Sequence, residues 1–209
     1  MTAFAPRPRR SGAPMMTALA AVALFAIGAL PLWAEEVTLE LDSARTVVSF
    51  TTSDTVHTVR GSFKLKRGSI TYDPATGQAH GEVVVDATSE DTGIAMRDRK
   101  VKKDVLESQT YPEITFVPDH LEGALPPQGD FKVDIHGVFR IHGGDHEMTV
   151  PLQVQHKPDG FEVSTHFRVP YHDWGMKNPG TFFIRVSNRV EIDVRTVARL
   201  AAHPVDRAP

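Results

Sequence analysis

After residue 36, most of this chain alternates between apolar and polar residues. Successive side chains of a strand point to opposite faces, so this alternation predicts strands with one buried face. The cleanest run covers residues 131–142, and its apolar set is Phe131, Val133, Ile135, Gly137, Phe139 and Ile141. Comparable runs, separated by turns rich in Gly, Pro, Asn and Asp, predict about eight to ten strands joined by short links. Gly143-Gly144-Asp145 is expected to form one of the tight hairpin turns.

The alternation stops once, in the middle of the chain, and resumes at Ile114. Residues 96–107 include several good helix formers, and Pro112 would end a helix there. The upstream side chains suited to capping such a helix are those of Ser89, Asp91 and Thr92. The pattern predicts one short helical crossover over about residues 92–108. Its apolar residues are Val101, Val105 and Leu106.

An antiparallel sheet of this size removes its exposed edges by closing. The predicted fold class is therefore all-β, an antiparallel barrel closed at one end by the crossover. A sandwich gives the same alternation, so composition decides between the two. The inward set mixes Gly and Ala with bulky Phe, and small residues among large ones can leave a hollow. The same mixture also fills a tapering, packed interior, and this alternative stays open.

The N-terminus has the organisation of an export signal. Arg7, Arg9 and Arg10 precede an apolar run over residues 15–33, and Ala34 stands before two glutamates. This order predicts a signal peptide over residues 1–34 and an exported protein that is periplasmic or secreted. The apolar run is also long enough to stay in a membrane, so an uncleaved anchor is the alternative.

Cleavage after Ala34 would leave 175 residues, a size typical of one domain. We place that domain at residues 35–198 and expect residues 199–209 to form a disordered tail. Three arginines leave with the signal and all acidic residues stay, so the net charge changes from −3 to −6. An acidic domain is poorly suited to nucleic acid. The absence of cysteine excludes disulfides, thiol catalysis and cysteine-ligated metals.

Several short motifs follow one another along the predicted domain. They are LDSARTVVSF (41–50), Val59-x-Gly61-x-Phe63, SEDTG (89–93), Arg97-Asp98, YPEITF (111–116), GVFRIHG (137–143) ahead of MTVPL, and HDWGM (172–176). Together they resemble the YceI-like family over nearly the whole domain. The resemblance implies an exported, lipocalin-like antiparallel barrel whose apolar interior takes a polyisoprenoid or another long-chain lipid, with the crossover near the mouth.

Inward side chains of the strands and crossover form the predicted lipid cavity. The candidate ligand-binding residues are Phe50, Phe63, Val85, Leu106, Phe116, Phe139, Ile141, Phe167, Trp174, Phe182 and Ile184. Each can equally be plain core, because every barrel needs a filling. The head-group candidates are Arg97 and Lys100, which belong to a basic cluster suited to a phosphate or an anionic membrane surface. A solvated helix face is the simpler interpretation of that cluster.

The predicted function is non-catalytic binding or transport of a long-chain isoprenoid or other amphiphilic lipid, without cofactor or metal. A metal site or metal-dependent enzyme is one alternative, based on His136, His142 and His146. Strand parity argues against it, because His142 and His146 are expected on opposite faces. A packed structural or stress-related barrel without ligand is the other alternative. The sequence leaves open whether the protein forms a homodimer.

Overall fold

The computed structural model describes residues 36–53, 57–123, 125–126, 128–180 and 186–201. The predicted signal peptide, residues 1–34, lies outside the described residues, as do residues 202–209 of the predicted tail. The described part contains nine strands: β1 (Val37–Leu41), β2 (Val47–Ser53), β3 (Thr58–Tyr72), β4 (Ala79–Asp91), β5 (Glu113–Glu122), β6 (Phe131–Ile141), β7 (Gly144–Lys157), β8 (Gly160–Val169) and β9 (Val190–Leu200).

These strands form one closed antiparallel barrel. From β3 to β9 each strand pairs with its neighbours in sequence. β1 and β2 both pair with β3 on one side and with β9 on the other. A 3₁₀ turn, Ser43–Arg45, separates them, so the two short strands occupy one of eight positions around the barrel. Closure leaves no open sheet edge, as the predicted all-β antiparallel barrel requires.

Bulges in the long strands change which alternate residues face inward. The register of β3 against β4 shifts near the middle of the strand, and the inward set passes from Phe63 to Ile70 and Tyr72. A similar shift in β5 changes the inward set from Phe116 to Leu121. One extra residue in a strand reverses the parity beyond it. Counting alternate residues therefore fails past each bulge.

The hairpin between β6 and β7 turns at His142 and Gly143. Both residues have positive φ, 52° and 75°, and Ile141 pairs directly with Gly144. A two-residue turn with positive φ at both positions is of type I′, whose twist matches that of the flanking strands. The predicted turn at Gly143-Gly144-Asp145 is wrong by about one residue, because β7 already begins at Gly144.

The crossover between β4 and β5 is helical, as predicted. It consists of α1 (Ala95–Lys100) and a π-helical turn, Val101–Val105. The N-cap residue of α1 is Ile94, and no side chain caps the helix there, so the expected capping role is wrong for Ser89, Asp91 and Thr92. Instead, Asp98 of the helix reaches back and accepts hydrogen bonds from the backbone N–H and the hydroxyl of Thr92.

The C-terminal strand continues past the predicted domain end. β9 runs through Leu200, whose neighbour Ala201 donates its N–H to the carbonyl of Thr38 at 2.8 Å. The predicted start of the tail at residue 199 is thus two residues too early, because β9 pairs with β1 there. In the part of the chain that the structure describes, no helix has the length and hydrophobicity needed to cross a membrane.

A buried carboxylate lies beneath the crossover. Glu90 is only 1% exposed, and neither of its side-chain oxygens has a hydrogen-bond partner among the described residues. Burial raises the pKa of Glu90 to about 7, and nearby Asp98 adds to the rise while Lys102 opposes it. An unpaired buried charge is costly, so this group favours its neutral form in the folded protein.

Gly137→Ala is expected to destabilise the barrel. A Cβ at residue 137 would lie 2.3 Å from the carbonyl oxygen of Val117 and 2.8 Å from Cα of Pro118, both backbone atoms of β5. Overpacking of this kind costs about 1–3 kcal/mol in the free energy of unfolding, which urea denaturation measures. In the control Gly68→Ala, the new Cβ meets side-chain atoms of Leu41 that can move. Equal losses in the two variants would contradict the prediction.

Glu90→Gln is expected to stabilise the protein at high pH. The pKa of Glu90 is about 7 in the folded protein and 4.5 ordinarily. The free energy of unfolding of the wild type is therefore highest below about pH 4.5 and falls as the pH rises through 7. The shift corresponds to a gain of about 3 kcal/mol for the variant near pH 9 and to little difference near pH 4. Urea unfolding across this range measures both values. Glu147→Gln, a substitution of an exposed glutamate, is the control. A stability difference between Glu90→Gln and the wild type that does not change with pH would refute the prediction.

Candidate ligand cavity

The barrel encloses a cavity of about 560 Å³. Side chains from all nine strands line it, together with residues of the crossover and of the segment that follows β8. At the crossover end the lining includes Val101, Val105 and Leu106, with Tyr171 and Met176 from the later segment. The crossover therefore covers one end of the cavity. The packed-barrel alternative required a filled interior, which the structure does not have.

Two glycines leave room for aromatic rings on neighbouring strands. A Cβ at Gly61 would fall 2.5 Å from the ring of Phe50, its partner in the ladder. A Cβ at Gly137 would fall 2.9 Å from the ring of Phe116. The rings occupy the space that side chains at 61 and 137 would need. Glycine opposite an aromatic residue is a recurring arrangement in curved sheets.

Eight of the predicted ligand-binding residues line the cavity. They are Phe50, Phe63, Val85, Leu106, Phe116, Phe139, Ile141 and Phe167. Phe182 and Ile184 lie outside the described residues. Seven of the eight have the inward parity of their own strand, up to the first bulge, and Leu106 reaches the cavity from the crossover.

Trp174 does not line the cavity, contrary to the prediction. Its ring stacks on His146 with centroids 3.9 Å apart and planes 6° apart, and it lies 5.8 Å from the ring of Phe139. His146 is the ladder partner of Phe139. The indole is thus held outside the cavity by aromatic packing. Burial lowers the pKa of His146, which favours the neutral imidazole in this stack.

The two head-group candidates are also absent from the cavity lining. Arg97 donates from Nε to the Thr92 hydroxyl at 2.8 Å and from Nη2 to the Thr92 carbonyl at 3.1 Å. Lys100 donates from Nζ to the carbonyl of Pro179 at 3.0 Å. Both side chains therefore tie the crossover to itself and to the segment after β8. The positions of these two side chains therefore do not support a head-group site beside them.

Polar groups in the lining are few and mostly engaged. No Asp, Glu, Lys or Arg occurs among the described lining residues, whose polar members are Thr52, Tyr72, His156, Thr165, Tyr171 and Thr196. The Tyr171 hydroxyl donates to the Ser187 carbonyl at 2.7 Å, and Thr196 bonds to the Thr46 hydroxyl at 2.6 Å. The Thr165 hydroxyl is buried and has no partner among the described residues. The wall is accordingly suited to hydrocarbon.

Tyr72 and His156 bring polarity to the end of the cavity opposite the crossover. Nδ1 of His156 donates to the carbonyl of Gly129 at 2.6 Å, which leaves Nε2 as an acceptor. The ring of His156 packs between Phe131 and Phe161, with centroids 5.7 Å and 4.9 Å away. The Tyr72 hydroxyl has no partner in the described part, and burial raises the pKa of Tyr72.

Sequence reasoning missed several lining residues for identifiable reasons. Ile70, Tyr72 and Leu121 follow bulges that reverse the parity. Pro118, a residue that central strands avoid, was the available signal in β5. His156 continues the inward parity of Val150 and Val154 in β7, but its polar side chain concealed it.

The histidines proposed as metal ligands do not form a site. His142 lies in the hairpin turn, 3.6 Å from the Glu107 carboxylate, and its ring is 4.8 Å from that of Tyr111 at a tilt of 50°. His146 stacks on Trp174. His136 bonds to Asp119 at 2.7 Å on the outer face. Throughout the described ranges, no three side chains of His, Asp or Glu come together in a way that could hold a metal.

Comparison with known proteins agrees with this architecture. The model of the YceI-like domain matches residues 39–198. A search of curated proteins found no match. Among solved structures, Burkholderia cenocepacia BcnA is similar with 23% identity and a TM-score of 0.61, covering 75% of this chain and 98% of that one.

Two further structures have the same fold. A polyisoprenoid binding domain from Saccharophagus degradans, implicated in plant cell wall breakdown, has 18% identity and a TM-score of 0.60, with coverage of 78% of this chain and 98% of that one. The Campylobacter jejuni YCEI protein has 18% identity and a TM-score of 0.57, with coverage of 71% and 88%. At these identities the likeness establishes the fold. The family match spans every strand of the closed barrel, and the chain therefore belongs to the YceI-like domain family.

Proposed function

We propose that this protein binds a long-chain isoprenoid or another amphiphilic lipid, non-covalently and without catalysis, inside the barrel. The observation that supports this most directly is the cavity of about 560 Å³ with an almost entirely apolar wall. Ligand sites of this kind are concave, apolar and provided with a few oriented polar groups. The description of the S. degradans relative as a polyisoprenoid binding domain supports an isoprenoid as the first ligand to test.

The volume of the cavity sets the length of chain that it holds. At about 30 Å³ for each heavy atom, 560 Å³ accommodates roughly twenty carbons. At about 0.3 kcal/mol for each heavy atom, such a chain gains roughly 6 kcal/mol, which corresponds to a Kd of tens of micromolar. About forty carbons would reach nanomolar affinity only if the whole chain were buried. A longer chain has to emerge from one end of the barrel, so its outer part adds little affinity.

The polarity of the wall favours a neutral head group. An ionised phosphate would find no Lys or Arg among the described lining residues. An alcohol can accept from the Tyr72 hydroxyl and donate to Nε2 of His156, whereas a carbonyl can only accept from the Tyr72 hydroxyl. We therefore place the head group at the end opposite the crossover. This replaces the expectation of a head group beside Arg97 and Lys100.

The cellular role that follows is that of a carrier or store for a water-insoluble chain. The N-terminal sequence favours an exported protein, periplasmic or secreted, where such a chain needs a shield from water. Binding and release need no covalent step, which agrees with a wall that has hydroxyls, one imidazole and no carboxylate among its described residues. Because the lipid is bound without a covalent bond, the protein could also deliver it to a membrane or to another copy of the chain.

Blocking the cavity at its middle tests the proposal. In Thr165→Phe a ring replaces an inward hydroxyl that has no partner, between Leu152 and Val194 of the neighbouring strands. We expect at least a tenfold loss of affinity for a twenty-carbon prenol. Native mass spectrometry, or a titration that follows the fluorescence of a labelled prenol, measures this affinity. The free energy of unfolding should not fall, because the ring fills empty space.

The matched control is Ser164→Phe, one residue earlier on the opposite face of β8. It adds the same ring outside the barrel, so prenol uptake should equal that of the wild type. Affinity should also rise with prenol length up to about twenty carbons and then level off. Wild-type protein that takes up no prenol of any length, or Thr165→Phe protein that binds as tightly as the wild type, would refute the proposed function.

A further inference from the structure

We propose that the outer face of the crossover docks on an anionic lipid bilayer through Ile94, Met96, Arg99 and Lys103, which we call the docking tip. This inference goes beyond the proposed function, because the bilayer is a surface partner and not the occupant of the cavity. Docking requires no ligand in the barrel. The two proposals can therefore fail separately.

The docking tip exposes apolar side chains that the fold does not use. Ile94 is 53% exposed and Met96 76% exposed, and they are two of only four large hydrophobic residues with such exposure in the described part. The other two, Val47 and Leu200, lie in separate strands. A Cβ built at Gly93 would meet no atom within 4 Å, so the space next to this residue is open. Exposed neighbours of this kind mark an interaction site.

Cations without protein partners stand beside these apolar residues. Arg99 and Lys103 are exposed, four residues apart on the helical crossover, and neither forms an ion pair in the described ranges. Residues 91–104 contain five Lys or Arg residues and three carboxylates, those of Asp91, Asp98 and Asp104, which gives this region a net charge of +2. The tip is thus positive although the whole chain has a net charge of −3.

The crossover has two faces with separate tasks. Val101, Val105 and Leu106 point to the cavity and are buried or half-buried, so they account for the inner face. Lys100 is held by the Pro179 carbonyl, which fixes the crossover on the barrel. Ile94, Met96, Arg99 and Lys103 contribute to neither contact. An apolar point with cations next to it matches the interface of an anionic bilayer, where apolar side chains insert among head groups and cations meet phosphates.

Vesicle binding tests the proposal directly. The protein used begins at residue 35, because the apolar N-terminal run would bind membranes by itself. Residues 34–209 form one compact unit that contains every strand and the core of the barrel. Flotation with vesicles of 70% phosphatidylcholine and 30% phosphatidylglycerol should recover the protein. Vesicles of pure phosphatidylcholine, or 0.5 M salt, should reduce the recovery strongly, because screening removes the attraction between exposed charges.

Two double variants separate the contributions to docking. Arg99→Glu with Lys103→Glu should lower the partition coefficient on anionic vesicles roughly 25-fold or more, at about fivefold for each cation near an anionic surface. Ile94→Ser with Met96→Ser should lower it at least about tenfold, since the apolar insertion is lost. The control is the double variant Lys132→Glu with Lys157→Glu. It makes the same change of net charge on β6 and β7, away from the docking tip, and should keep most of the binding to anionic vesicles.

The outcomes decide between docking and its competitors. Wild-type binding that is equal on anionic and neutral vesicles, or a control that loses as much as the tip variants, would overturn the proposal. So would a wild type that ignores vesicles but dimerises through the tip, as shown by a change in sedimentation for the Ile94→Ser, Met96→Ser variant. Prenol uptake in solution should be unchanged in both tip variants, because no tip residue lines the cavity. Wild-type protein that floats with anionic vesicles but takes up no prenol would count against the lipid-binding function alone.

Discussion

The hollow interior depends on how the barrel accommodates its aromatic rings. Eight strand positions enclose a space that side chains can fill completely or leave open for one small ligand. In this protein the rings of Phe50 and Phe116 lie over Gly61 and Gly137, where any Cβ would collide with them. The rings therefore fill the space over the two glycines, and larger residues at these positions would force the rings to move.

The same hollow explains how polarity is distributed. A lining without charged residues in the described part avoids the large cost of placing an ion in an apolar cavity, and it is suited to hydrocarbon. Glu90, a buried carboxylate without a hydrogen-bond partner among the described residues, lies beneath the crossover and outside the cavity lining. Ionisation of Glu90 at high pH lowers the stability of the folded protein, because the buried carboxylate accepts no hydrogen bond from the described residues.

The two proposals divide function between two surfaces that share the crossover. The inner surface continues the apolar wall of the cavity, and the outer surface presents exposed apolar and cationic side chains to solvent. Arg97 and Lys100 belong to neither surface, since they hold the crossover in place by hydrogen bonds to backbone carbonyls. A basic cluster read from the sequence alone thus separates into structural cations and free cations. Only the contacts of each side chain reveal that division.

The sequence by itself determined the all-β class, the helical crossover and most of the inward side chains, because alternation with a period of two directly reports the two faces of a strand. Phe139, Ile141 and Phe167 lie where alternation places them. Alternation does not predict bulges, so Ile70, Tyr72 and Leu121 were missed. It also does not predict the ring stacking that keeps Trp174 out of the cavity wall. The tertiary structure alone decided that the centre is open and that Glu90 is buried without a partner. Both depend on distances between strands and segments far apart in the chain, and local sequence patterns contain no such distances.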